Sequence, residues 1–217
     1  MSTHQELEQA LLQAHIDNAE REVEKLLLGL SLLLTYHQST HTFEFVYPES
    51  MALATAEGLK SEDLLVVAVI ALFHDTGFLT QYVANEPVGA QHAKDYALSS
   101  TSDTLQEAAQ IIFNAIINTN MQLPPKNIFE RIVRDADLSV IGKPEFMEWS
   151  MRLREEVQQH PESSMYPFTA SDRQWARFQL TFLEQHQWFT ESARTMYQVQ
   201  KEANIRQFKQ YFADALS

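Results

Sequence analysis

The sequence predicts an all-α protein, a bundle of about eight to ten helices. Three observations carry that expectation. Apolar residues recur at spacings of three and four along most of the chain. Strand signals are weak, and no tight hairpin dipeptide such as Asn-Gly occurs. Gly and Pro are few, 5 and 7 in 217 residues, so no stretch reads as a long linker.

The elements follow in order. Thr3 and Glu6 fit a capping box, and Leu7, Ala10, Leu11 and Ala14 continue at helical spacing. This helix is expected to reach Lys25, with the apolar stretch Leu26 to Leu34 buried beyond it. A second helix starts at Ser39 or Thr40. Pro48 should kink or break it, because proline donates no backbone hydrogen bond. Gly58 reads as its C-cap. Ser61, with Glu62 and Asp63, opens a third helix. From Leu64 to Phe73 that helix is apolar all round, which predicts a central position. It runs into His74-Asp75-Thr76-Gly77, where Gly77 permits a turn.

Further helices are expected over Glu86–Leu98, Asp103–Asn118 and Asn127–Val140, with Pro124-Pro125 separating the last two. Three more follow Gly142, over 144–159, 171–186 and 190–215, with Ser171 and Thr190 as N-caps. His160 to Ala170 is the long loop. There is no internal repeat, so residues 1–217 read as one domain.

Composition excludes several functions. Asp and Glu number 29 against 16 Lys and Arg, a formal net charge of −13. That excess argues against a nucleic acid polymer as partner, which needs clustered cations. A small anionic substrate stays compatible if a metal supplies positive charge locally. No cysteine is present, which removes disulfides, Cys-based zinc sites and Cys nucleophiles. The start, MSTHQELEQA, is polar and acidic, unlike a signal peptide. The run Leu64 to Phe73 is about half the length of a membrane span. A soluble, cytoplasmic protein without a membrane partner is expected.

Three clusters carry candidate chemistry. His74 and Asp75 follow a fully apolar helix, where a charged group is costly unless paired or metal-bound. Taken alone, the pair also fits an ordinary helix end with a satisfied His. His37 and His41 are four apart and share a helix face. They suit one metal, or one ligand plus one proton donor, or two unremarkable helix-start histidines. Asp135 and Asp137 are two apart and cannot share a face, so one points inward and the other is solvated or caps. Acids are disfavoured at a helix C-terminus, which tilts this pair toward a role. Imidazoles plus carboxylates form a site for one of Mn, Fe, Co, Ni, Zn or Mg.

In this order, YHQSTHTFEFV, HDTGF, NEPVGAQHAKDYAL and RDADLSVIG resemble the HD-domain metal-dependent phosphohydrolases, over roughly residues 30–142. FLEQHQWFTESA and KEANI, within residues 143–217, resemble the tail of bacterial HD proteins. The resemblance implies an HD-domain helical bundle with one divalent metal ion on His41, His74, Asp75 and Asp137. The ADLS segment is similar to that of the cyclic-nucleotide phosphodiesterases, which makes Asp137 the last ligand and Asp135 its flanking acid. His37 matches the residue that protonates the leaving oxygen there. Glu86 would orient or deprotonate the attacking water, and Asp75 would help to steer it.

Departures from the family pattern matter. Many relatives have His-Glu where this chain has Asn85-Glu86, and a later His is replaced by Asn118-Thr119. Both argue for a mononuclear site. His92 has no family role and reads as a surface or interface residue. Lys143, Arg131 and Arg134 are available to a phosphate but read first as surface charges. Trp149, Trp175, Phe178, Phe182, Trp188 and Phe189 read first as helix packing, with nucleobase stacking as the lesser alternative.

The implied activity is hydrolysis of a small phosphate ester, mono or di, such as a nucleotide, by metal-activated water. The partner is then that small phosphate ester, with a homodimer as an option. HDTGFLT lacks the Glu-Asp motif of guanosine-tetraphosphate hydrolases, and the chain has no room for the regulatory domains of a signalling phosphodiesterase. A metal-binding sensor or scaffold without turnover is the main alternative. A two-iron oxygenase on the same fold is the third.

Overall fold

The computed structural model describes residues 3–217, with side chains from Glu6 onward. Among them all regular structure is helical and there is no strand, in keeping with a bundle of eight to ten helices. The helices are α1 (Thr3–Leu27), α2 (Tyr47–Ala56), α3 (Ser61–Phe73), α4 (Glu86–Ser99) and α5 (Asp103–Ile117). They continue with α6 (Ile128–Asp137), α7 (Phe146–Gln158), α8 (Asp172–Gln185), α9 (Glu191–Tyr211) and α10 (Ala213–Leu216). None is long and apolar enough to cross a membrane.

The apolar run does what its composition predicts. Every residue from Leu65 to Phe73 is buried, and α3 serves two cores at once. Val66, Val69, Ile70 and Phe73 pack with residues of α1, α4 and α5. Val67 and Ala71 pack with α2 and the C-terminal helices through Leu53, Ile132 and Trp175. A helix wetted on neither face has no use for a polar residue, so the first charge after Phe73 falls where α3 leaves the interior.

Local signals set most boundaries. Ser102, Asn127, Ser171 and Thr190 cap α5, α6, α8 and α9, their side chains accepting from Leu105, Glu130, Gln174 and Ala193 N–H. Each cap is worth about 1 kcal/mol. Gly58, at φ 83°, closes α2, with Leu59 N–H donating to the Ala54 carbonyl at 3.0 Å. The N-cap of α3 is Lys60, so Ser61 is its first helical residue and does not cap by side chain. The Thr3 side chain, and with it the expected capping box, lies outside the described residues.

Three expectations need correction. Pro48 does not end the helix. Instead the backbone widens through a π-turn, His41–Val46, and resumes as α2 with Pro48 in its first turn. The wider π-turn, in which Tyr47 N–H donates to the Thr42 carbonyl, takes up the proline, whose nitrogen has no hydrogen to donate. The stretch Leu26 to Leu34 is not uniformly buried: Leu27 and Leu34 are, but Leu28 and Leu32 are 87% and 95% exposed. α1 stops at Leu27, and successive turns at Gly29, Leu30 and Leu34 rotate neighbouring side chains in different directions. α6 ends at Asp137, not Val140, and passes into a 3₁₀ turn over Ser139–Gly142. That turn is clamped by α9: Asn204 Nδ2 donates to the Ile141 and Lys143 carbonyls at 2.9 and 2.8 Å.

Candidate metal centre

The fold brings three remote segments to one point. His74 is the C-cap of α3, Asp75 follows it, His41 opens the π-turn and Asp137 ends α6. One donor atom from each of His41, His74 and Asp137 lies within 4.8 Å of the others. Asp137 Oδ1 is 3.1 Å from His41 Nε2 and 3.8 Å from His74 Nε2. Asp75 Oδ2 is 3.1 Å from His74 Nε2 and 3.6 Å from His41 Nε2.

The donor set suits a divalent cation. His74 Nδ1 lies 2.7 Å from the Ala71 carbonyl, which can only accept, so Nδ1 carries the proton and Nε2 is the free donor. His74 Nε2 and Asp75 Oδ2 are buried and have no hydrogen-bond partner despite their 3.1 Å approach. Two orphaned, buried, electron-rich atoms beside a second imidazole and a second carboxylate are what a metal would satisfy. Without a cation the carboxylates recruit protons. Burial lowers the His74 pKa, but Asp75 and Asp137 more than offset it, giving a value of about 9.

Gly77 and Gly89 let this turn sit directly on α4. A Cβ at Gly77 would lie 1.9 Å from the Asn85 carbonyl oxygen, and one at Gly89 2.8 Å from that of His74. Gly77 is therefore required for close approach; its φ is not positive, so turn formation is not the reason. Thr76 Oγ1 donates to the Phe73 carbonyl at 2.8 Å and accepts from His92 Nδ1 at 3.2 Å. His92 is half-buried and braces the turn from α4, rather than standing on the surface.

The two aspartates of α6 divide as their spacing requires. Asp135 is fully buried and accepts from Phe189 N, Thr190 N and Thr190 Oγ1. It holds the start of α9 and takes no part in the metal cluster. Asp137, partly exposed, faces His41 and His74.

Beside the cluster opens a cavity of about 460 Å³, lined by His37, Asp75, Glu86 and Asp137 among others. Glu86 is the first residue of α4, half-buried, and lies outside the set of converging donor atoms. His37 stacks on Phe78 with ring centres 4.2 Å apart, and its Nδ1 lies 2.5 Å from Glu156 Oε1. Glu156, on α7, is fully buried and also accepts from Tyr36 N, His37 N and Tyr82 Oη. Burial lowers the His37 pKa, but Glu156 outweighs it and the net shift is upward. The Glu156 pKa is lowered: burial pushes it up, and His37 pulls it down by more.

Sequence reasoning missed Glu156 entirely. It sits 119 residues from His37 in an ordinary helical stretch, EEVQQH, with no local signal. Three candidate phosphate contacts also sort out. Lys143 pairs with Glu49. Arg131 is exposed. Arg134 is buried, not a surface charge, and its guanidinium donates to the carbonyls of Asn118, Asn120 and Leu123. Asn118 gives its side chain to Arg134 and to the Pro124 carbonyl, so it serves the α5–α6 turn. Phe178, expected first to pack helices, lines the cavity as well as stacking on Phe168. Compared with protein-family models, curated proteins and solved structures, the chain shows no match.

Proposed function

We propose that this protein is a metal-dependent phosphohydrolase of the HD type, acting on a small phosphate ester. One observation carries the reading. Donor atoms of His41, His74 and Asp137 converge at the edge of a cavity of about 460 Å³, and Asp75, outside that set, puts Oδ2 3.1 Å from His74 Nε2 with neither atom hydrogen-bonded. His41, His74, Asp75 and Asp137 would hold a single divalent ion. Such an ion polarises a phosphoryl oxygen and lowers the pKa of water, so that hydrolysis proceeds near neutral pH.

The chain's own groups handle the protons. His37 has Nδ1 bonded to Glu156, which leaves Nε2 for substrate, and Glu156, outweighing burial, raises its pKa and so favours the protonated ring. It delivers that proton to the departing alkoxide oxygen. Glu86, on the cavity wall at the start of α4, accepts a proton from the attacking water. Phe78 holds the His37 ring flat against the wall. A cytoplasmic setting goes with this reading and with the absence of cysteine.

A second reading has one observation in its favour. Among the described residues no Lys or Arg lines the cavity, which also suits a metal-binding sensor that turns nothing over. Metal analysis combined with a panel of phosphomonoesters and phosphodiesters separates the two. The hydrolase should contain one divalent ion per chain and hydrolyse at least one ester. Replacing His74 and Asp75 by Ala should remove both the ion and the activity. Hydrolysis that survives in the metal-free variant would overturn the assignment, and a bound ion without turnover of any ester would favour the sensor.

A further inference from the structure

The charge of the cavity wall restricts what the site can accept. Its ionisable groups are His37 and three carboxylates, Asp75, Glu86 and Asp137, with no Lys or Arg among the described lining residues. The guanidinium beside the turn 119–122 is committed elsewhere. Arg134 donates to three carbonyls and to Asn118 Oδ1, and thereby shapes the turn 119–122 that forms one wall.

Away from the metal cluster the wall changes character. Phe78, Tyr82 and Phe178 line it with aromatic surface, each ring having one face already stacked, on His37, His160 and Phe168, and Met165 adds an adaptable apolar side chain. Asn120 and Gln122 present amides, which donate and accept but carry no charge. A volume of about 460 Å³ is enough for one ring system with a sugar-sized linker. One phosphoryl group is neutralised by the ion and by His37. A second phosphate would lie among aromatic rings and amides, near Glu86, with no counter-charge.

We propose that the site selects esters with a single phosphoryl group on an uncharged, ring-bearing organic group, and discriminates against di-, tri- and bisphosphates. This rests on the phosphohydrolase reading, and the test keeps the two apart. The probes are the mono-, di- and triphosphate of one nucleoside, together with ribose 5-phosphate, which lacks the ring base. Binding and kcat/KM are measured on the metal-loaded protein over a series of fixed free concentrations of the divalent ion, so that cation carried in by the di- and triphosphate is separated from charge supplied by the wall.

Affinity and kcat/KM should be highest for the monophosphate and fall about tenfold with each added phosphate. Ribose 5-phosphate should bind about tenfold more weakly than the nucleoside monophosphate. Gln122→Lys, which places a cation on the exposed wall, should narrow the monophosphate-to-diphosphate ratio by about tenfold. Equal or better use of the di- or triphosphate, or a ratio unmoved by Gln122→Lys, overturns the selectivity and leaves the hydrolase standing. Selective binding of the monophosphate without turnover supports the selectivity and sinks the hydrolase. Failure of every probe to bind a metal-loaded protein overturns both.

Discussion

Asp135 and Thr190 lie 55 residues apart in the chain and are joined twice: Thr190 N–H and Oγ1–H donate to Asp135 Oδ2 at 2.8 and 2.7 Å. Burial pushes the Asp135 pKa up and those bonds pull it back down; burial prevails. Asp137, one turn-fraction further along α6, instead faces two imidazoles. Conservative substitutions at the two positions should therefore have opposite effects. Asp135→Asn turns an acceptor into a donor against two N–H groups and should cost about 2 kcal/mol, with metal content unchanged. Asp137→Asn should leave stability within about 0.5 kcal/mol and lower metal affinity at least about 100-fold. Denaturant unfolding and metal analysis of both variants check this. Loss of metal in the Asp135 variant at full stability would reverse the assignment.

Glu156 orients and charges His37 from a helix outside the metal cluster. Glu156→Gln keeps the shape but removes the negative charge that holds the His37 pKa up. Metal content should be retained while hydrolysis falls about 100-fold, the scale of general acid catalysis. A general acid must be protonated, so activity is lost as pH rises through its pKa. Lowering that pKa moves the alkaline limb of the pH–rate profile to lower pH. An unmoved alkaline limb would remove His37 from the role of acid.

Arg134 should not be replaceable by an uncharged side chain. Four acceptors around the turn 118–123 close on one of its guanidinium nitrogens, Nη2. Arg134→Met leaves buried carbonyls unpaired and should cost about 3 kcal/mol. Hydrogen exchange should show amides 118–123 losing protection while those of α3 keep theirs. Uniform loss across the chain would mean that Arg134 supports the whole fold and not the turn.

His186 predicts an acid weakness. Burial, with Lys201 beside it, lowers its pKa to about 3. Lys201 Nζ lies 3.2 Å from His186 Nδ1 and also donates to the His186 carbonyl. Below its ordinary value of about 6.5 the unfolded chain binds a proton at His186 that the folded chain refuses until about pH 3. The unfolded state binds more protons in that window, so stability falls as pH falls through it. His186→Asn removes the penalty. Its destabilisation relative to wild type should be smaller at about pH 5 than at about pH 8, by up to about 2 kcal/mol. Parallel stability curves for the two proteins would show that His186 does not titrate this way.

Much of the fold was legible because its causes are local. Ser171 and Thr190 cap helices through their own side chains, and Gly58 ends one by adopting positive φ. The run from Leu65 to Phe73 leaves no polar face, so burial follows whatever the partners are. The apolar stretch after α1 was misread for the complementary reason. Outside a helix, consecutive leucines point in several directions, and Leu28 and Leu32 stay largely exposed. Gly77 shows the same limit: its need comes from the Asn85 carbonyl packed against it, which local turn chemistry does not reveal.

By itself the sequence determined the helices, their caps, the central apolar rod and the residue types able to bind a cation, because each depends on neighbours within a turn or two. The spacing of Asp135 and Asp137 left open which acid of α6 faces the cluster; the family resemblance implied Asp137, and tertiary structure supplies the cause. Residues two apart on a helix project about 200° from one another, and packing against the start of α9 selects the face. It also decided that Glu156 holds His37 and that Arg134 holds a turn. Those partners are brought together by the burial of α3 from both sides, and no short-range pattern encodes them.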